Sequence, residues 1–158
     1  MTERDEINDF LMGNGAKAFP FEELGATVKG QIVDMKKQQQ TDMQTKKPAY
    51  WDNGDPKMML QVVLQTDLRD DEEDEGLRAV YLRGGNPTAI KGKGTSGLVA
   101  VKDAVKRSGT TKGIEIGGKL TLQFSGEGQA PNKGFNAPKL YQASYEPPSY
   151  AVDIDELA

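Results

Sequence analysis

Residues 57–66 read KMMLQVVLQT, and this stretch carries the clearest fold information in the sequence. Leu60, Val62 and Leu64 fall at every second position, with glutamine or valine between them. A period of two is typical of a β-strand that buries one face. We therefore predict a strand at 57–66.

A period of two also occurs in segments before and after this stretch. Residues 98–107 instead show the apolar spacing of a helix, with Ser96 placed to cap its start and Gly109 to end it. Gly30 predicts a bulge or sharp bend in the first strand. The further predicted strands are 27–37, 77–83, 119–125 and 139–145.

The order of these elements predicts the fold class. Three strands, a helix and two strands are the order of the OB-fold, an all-β, five-stranded Greek-key barrel with one helix between the third and fourth strands. Other small barrels and α+β folds share five strands and a helix. We expect an N-terminal extension at 1–26, the OB-fold domain at 27–146, and an acidic, disordered tail at 147–158.

Composition excludes several kinds of chemistry. The chain has 158 residues and contains no Cys and no His, which removes thiol nucleophiles, Ser/His/Asp triads and zinc sites with thiolate or imidazole ligands. We expect a protein that is not an enzyme, with no catalytic residue, no metal and no cofactor. The acidic N-terminus and the lack of a long apolar run predict a cytoplasmic protein without membrane contact.

Charge is strongly segregated along the chain. The formal net charge is -4, which alone would disfavour a nucleic-acid partner. Residues 77–145, however, hold 11 Lys and Arg against Asp103, Glu115 and Glu127, a balance of +8. The negative charge is concentrated in both ends and in residues 67–76. The predicted folded body is therefore basic.

The most informative candidate site is the connection between the first two predicted strands, where two lysines precede Tyr50 and Trp51. Lysine neutralises phosphate and a flat ring stacks on an unpaired base, so this combination favours single-stranded nucleic acid. In an OB-fold, this connection and the one between the last two strands line the ligand groove. The alternative is that Trp51 covers a barrel end and the lysines are solvated.

The other basic and aromatic candidates are placed beside that groove by the predicted topology. Phe135 stands among glycines in the last connection, where it can stack on a base or close the barrel. The candidate DNA-binding residues are Lys29, Lys36, Lys37, Lys46, Lys47, Tyr50, Trp51, Lys57, Arg78, Tyr81, Arg83, Lys91, Lys93, Lys133, Phe135, Lys139 and Tyr141.

Two acidic segments have other interpretations. Residues 70–75 are six successive acids, which favour a solvated loop, with docking of a partner or a two-metal nuclease site as alternatives. The tail mixes acids with apolar residues, so it can bind replication or recombination proteins, compete with nucleic acid for the basic groove, or only add solubility. Its candidate partner-binding residues are Asp153, Ile154, Asp155, Glu156 and Leu157.

Long stretches of the sequence resemble a family of single-stranded DNA-binding proteins of tailed bacteriophages of actinobacteria. The stretches are FLMGNGAKAF at 10–19, TDMQTKKPAYWDNGDPKMMLQVVLQTD at 41–67, RAVYLRGG at 78–85 and GKLTLQFSGEGQAPNKGFNAPKLYQASYEPP at 118–148. The resemblance implies an OB-fold that coats unpaired DNA in replication, recombination or repair, within the host cytoplasm. The tail is similar in plan to the acidic tails of bacterial single-stranded DNA-binding proteins, but it ends in Glu-Leu-Ala and not in an aromatic residue. The resemblance therefore does not extend to the host partners of those tails.

The sequence thus predicts a protein that binds single-stranded DNA without strong sequence preference, with RNA as an alternative ligand because stacking and phosphate contacts do not read the 2′-hydroxyl. The second hypothesis is a protein-interaction or DNA-mimic adaptor that acts through the acidic loop and tail. Two interpretations of the N-terminal extension stay open, a lid and a contact in a homo-oligomer.

Overall fold

The computed structural model describes residues 16–42, 44–83, 90–129 and 137–149. These residues form a six-stranded sheet and a single helix. The strands are β1 (Lys17–Ala18), β2 (Thr27–Gln39), β3 (Met58–Gln65), β4 (Leu77–Arg83), β5 (Lys119–Glu127) and β6 (Lys139–Glu146), and the helix α1 (Gly97–Arg107) lies between β4 and β5. The predicted class, mostly β with one helix, is confirmed.

Strand number and closure differ from the prediction. The sheet has the order β1-β4-β3-β2-β5-β6 and is open, with β1 and β6 at its edges among the described residues. The sixth strand, β1, comes from the predicted N-terminal extension. It pairs in parallel with β4, and the Phe19 N–H donates to the Ala79 carbonyl at 2.9 Å. A strand of two residues is too short for periodicity to reveal.

β2 holds the two halves of the sheet together. Its first residues, 27–31, pair with β5, and residues 31–39 pair with β3, both antiparallel. The change of partner occurs at Gln31, which pairs with both β5 and β3. At the preceding residue, Gly30, a Cβ would lie 2.4 Å from the Gln65 carbonyl oxygen. A bulge follows between Ile32 and Asp34. The irregularity predicted from Gly30 is thus a bulge, and it falls at Val33.

The core lies between one face of the sheet and α1. Alternate residues of the central strands supply it, as the period of two predicts. α1 adds Val101 and Ala104, begins where the Ser96 side chain accepts the Val99 N–H at 3.4 Å, and is followed by Gly109 at φ 82°. Fully buried core side chains are Val28, Ile32, Val62, Leu64, Val80, Leu82, Leu120, Leu122 and Leu140. Within the described part of the chain, no helix has the length and apolarity needed to cross a membrane.

Candidate nucleic-acid interface

On the face of β2, β3 and β4 that points away from the core, candidate residues lie opposite one another on adjacent strands. We call this surface the outer face. Pairing places Lys36 opposite Gln61 and Gln61 opposite Tyr81. The Gln61 side chain donates to the Tyr81 hydroxyl at 3.2 Å, which fixes an exposed ring on the sheet. The neighbouring cross-strand set is Gln38, Met59 and Arg83.

The connection between β2 and β3, residues 40–57, continues the two strands as an ordered hairpin. We call it the β2–β3 loop. The Gln40 N–H donates to the Lys57 carbonyl at 2.7 Å, the Ala49 N–H to the Gln40 carbonyl at 2.8 Å, and the Trp51 N–H to the Asp55 carbonyl at 2.8 Å. The loop leaves the sheet at the end where Arg83 completes β4. The loop and Arg83 therefore share one end of the sheet.

Both rings of the β2–β3 loop are accessible. Tyr50 is 57% exposed and Trp51 is 42% exposed. The Lys57 Nζ lies 4.7 Å from the centroid of the Trp51 ring, a cation–π distance. A ring and an ammonium group held together can meet a base and its phosphate at the same time.

The lysines at the tip of this loop are presented by a fixed turn. The Asp42 carboxylate accepts the backbone N–H groups of Gln44 and Thr45 at 2.8 and 2.9 Å. These hydrogen bonds, with that of Thr45 the largest cause, hold the pKa of Asp42 below its ordinary value. Lys46 adopts φ 62°, and both Lys46 and Lys47 are exposed.

Arg78 has a different role from the predicted one. Its guanidinium side chain is only 4% exposed and donates to both oxygens of Asp74, at 2.6 and 3.0 Å. The Arg78 hydrogen bond and the N–H groups of Asp70 and Gly76 hold the pKa of Asp74 far below its ordinary value. Arg78 is therefore a structural residue that anchors the acidic loop, and we remove it from the interface.

The acidic loop is mostly exposed, as predicted, but two of its carboxylates are engaged within the molecule. Besides Asp74, Asp70 lies 3.4 Å from both Arg78 and Lys17. The Lys17 contact ties this loop to β1. Within the described residues, no group of three or more Asp, Glu, His or Cys side chains is arranged to hold a metal ion.

Tyr141 is a packed ring rather than an exposed platform. Its centroid lies 5.2 Å from that of Phe21 and 6.2 Å from that of Phe124. Burial raises the pKa of its hydroxyl, and the nearby positive charge of Arg83 acts in the opposite direction. Lys139 donates to the Phe21 carbonyl and its Nζ lies 5.2 Å from the Phe124 centroid.

Lys91 and Lys93 lie on a tight turn before α1. Gly94, at φ 120°, has no room for a side chain, because a Cβ would lie 2.4 Å from the Tyr141 carbonyl oxygen. The Ser125 hydroxyl donates to the Lys93 carbonyl at 2.5 Å. Both lysines are exposed on a turn that β5 and β6 hold in place.

The remaining predicted residues are not gathered with these. Lys29 lines a separate cleft of about 430 Å³ together with Lys119. Lys119 could not be predicted as its neighbour from the sequence, because only the pairing of β2 with β5 brings the two lysines together. Lys37 pairs opposite the core residue Leu60 and so points to the other face from Lys36. Lys133, Phe135 and the tail residues Asp153, Ile154, Asp155, Glu156 and Leu157 lie outside the described residues.

The structure thus brings Lys36, Tyr81 and Arg83 together on the outer face, next to the cationic and aromatic β2–β3 loop. Such a surface can bind a flexible polyanion that carries flat rings. Comparison of the chain with protein-family models, with curated proteins and with solved structures gave no match in any of the three.

Proposed function

We propose that this protein binds single-stranded DNA without strong sequence preference and that it is not an enzyme. One observation carries the proposal: strand pairing aligns Tyr81 with Lys36 and places Arg83 in the neighbouring cross-strand set. The loop that carries exposed Tyr50 and Trp51 extends from the same end of the sheet. Single-stranded nucleic acid is bound by this combination of a cationic track and stacking rings.

The arrangement suits an unpaired strand because bases in a duplex hide their ring faces. Tyr81 stands on a sheet and Trp51 on a hydrogen-bonded hairpin, so neither ring has to be ordered when DNA binds. Rigid rings reduce the entropy lost on binding. Stacking on a flat ring tolerates any base, because every base has a ring face.

We also propose that the fold is an OB-fold to which β1 has been added. The support is topological. β2 pairs with both β3 and β5, the sheet contains the order β4-β3-β2-β5-β6, and α1 lies between β4 and β5 along the chain. A partly open Greek-key barrel that binds ligands on its outer strand face has this plan. The Thr95 and Tyr141 backbones pair beside β6, on the side where a barrel would close.

The biological setting follows from the resemblance to phage single-stranded DNA-binding proteins. We propose a role in phage replication, recombination or repair in the host cytoplasm, with the tail as the contact for partner proteins. The adaptor hypothesis receives less support from the acidic loop, because Asp74 and Asp70 are already paired with Arg78 and Lys17 inside the molecule.

The proposal predicts a steep salt dependence. The outer face and the β2–β3 loop offer Lys36, Lys46, Lys47, Lys57 and Arg83 as phosphate contacts. About five contacts, each with a slope near -0.7, weaken binding to single strands roughly a hundredfold between 50 and 200 mM salt.

Replacing Arg83 with glutamine tests this assignment. We expect weaker binding to all single-stranded oligonucleotides and a salt slope that is less steep by about 0.7, because one phosphate contact is lost. Fluorescence anisotropy of a labelled oligonucleotide across a salt series measures both. Arg107→Gln, which changes an exposed arginine on α1, is the matched control. Equal slopes for wild type and Arg83→Gln would remove Arg83 from the interface.

A further inference from the structure

A second surface lies on the opposite side of the sheet, away from the outer face. It is a groove of about 420 Å³ between α1 and the ends of β3 and β4, within the size range of ligand pockets, roughly 300–1,000 Å³. We call it the helix groove. Its lining surface is entirely apolar, and its residues are Leu60, Leu82, Leu98, Val101, Val105 and Ile114, with Lys102 and Lys106 at the rim.

The rim of the helix groove is positive. Lys102 and Lys106 are four residues apart on α1, so they lie on the same side of the helix and contribute aliphatic stems to the lining. Both residues are exposed. An occupant that matches this groove has apolar side chains next to acidic ones.

The last described residues of the chain, after β6, lie close to the groove. A Cβ on Gly117 would lie 3.4 Å from the Pro148 side chain, so the segment after β6 runs beside residue 117. The Tyr145 hydroxyl accepts the N–H of Glu115, the residue that follows the groove residue Ile114. The last described residues therefore lie beside the chain that directly follows Ile114.

The sequence of that final segment fits the groove. Residues 150–158 read YAVDIDELA, in which Val152 and Ile154 alternate with Asp153 and Asp155 and no basic residue occurs. Nine residues reach about 30 Å when extended, and α1 with its eleven residues is about 16 Å long. The segment can therefore follow the whole groove.

The other end of the chain is poorly placed for the same role. β1 runs parallel to β4, with Lys17 opposite Arg78 at the beginning of that strand. The described chain therefore begins at the end of β4 that is remote from Leu82, the β4 residue in the groove.

We propose that residues 150–158 dock into the helix groove of their own chain, with Val152 and Ile154 against the apolar lining and Asp153 and Asp155 near Lys102 and Lys106. This inference does not depend on DNA binding. Docking covers Ile154, one of the residues proposed to contact partner proteins, so a partner would have to compete with the groove for the tail.

Disulfide trapping in the full-length chain tests this placement, since the protein has no native Cys. The test variant is Lys106→Cys with Asp155→Cys, and the control pair is Lys36→Cys with Asp155→Cys, which probes the outer face. We expect the test pair to form an intramolecular disulfide at least tenfold faster than the control pair under mild oxidation. Adding Ile154→Asp to the test pair should reduce its rate to that of the control.

Each other result overturns the proposal. Equal rates for the two pairs would mean that the tail has no preferred site, and a faster control pair would place it on the outer face. Disulfide-linked dimers from the test pair would assign the groove to a second copy. A faster disulfide between Lys106→Cys and Ile7→Cys would assign it to the N-terminal segment.

Discussion

Replacing Trp51 and Tyr81 together with alanine is expected to weaken binding to a single-stranded oligonucleotide by about a thousandfold. Each ring stacked on a base contributes roughly 1–3 kcal/mol, and 1.4 kcal/mol corresponds to a tenfold change in affinity. Both rings are accessible, at 42% and 38% exposed, and neither belongs to the buried core. The folded structure should therefore survive the loss of both rings. Fluorescence anisotropy at fixed low salt gives the affinity, and thermal unfolding checks the fold.

The matched control keeps the rings and changes their polar atoms. Trp51→Phe with Tyr81→Phe should retain most of the affinity, because stacking needs a flat ring and not a hydroxyl or an indole N–H. Two results would contradict the account: alanine and phenylalanine variants that bind equally, or an alanine variant that binds as wild type does.

Gly30→Ala is expected to lower the free energy of unfolding by about 1–3 kcal/mol, the usual cost of overpacking. The new Cβ would lie 2.4 Å from the Gln65 carbonyl oxygen and 2.9 Å from its carbon, so the backbones of β2 and β3 would have to separate. Gly30 directly precedes Gln31, the residue at which β2 passes from β5 to β3. Chemical denaturation monitored by circular dichroism measures the loss.

Gly97→Ala is the control for that substitution. At this first residue of α1 an added Cβ meets the Leu82 side chain at 3.5 Å, which is ordinary contact. Alanine should leave stability unchanged or raise it by about 0.4–1 kcal/mol, because it restricts the unfolded chain. A Gly30→Ala protein as stable as Gly97→Ala would show that β2 and β3 are not held this closely.

Much of the fold could be predicted because buried strands impose a period of two. β3, β4, β5 and β6 match their predicted positions closely, and α1 begins and ends near its predicted residues. β1 could not be predicted, since Lys17 and Ala18 are too few for any pattern. Its position depends on pairing with β4, which is far away in sequence.

On β2, a period of two alone does not show which side chains face the core. Counting by two from Val28 and Ile32 would put Lys36 on the core face. The bulge at Val33 shifts the register, so Met35 turns toward the core and Lys36 toward the outer face. A glycine predicts that a strand is irregular nearby, but it does not show which residue is the extra one.

The internal role of Arg78 could be predicted from the sequence. Arg78 shares its parity in β4 with the buried residues Val80 and Leu82, and Asp74 precedes it by four residues. An arginine on the buried side of a strand with a carboxylate that close is better explained by an internal ion pair than by a DNA contact, because buried charges have to be paired. Tyr141 is different, since its partner Phe21 lies far away in sequence.

The most direct test of the central claim is the fluorescence of Trp51, the only tryptophan in the chain, during titration with unlabelled DNA. At about 50 mM salt, a single-stranded oligonucleotide should quench the emission saturably as a base stacks on the ring, and the signal should recover when salt is raised. A duplex of the same length should quench far less. Unchanged emission with single strands, together with no shift of the oligonucleotide in a gel, would contradict the account, and so would equal quenching by duplex.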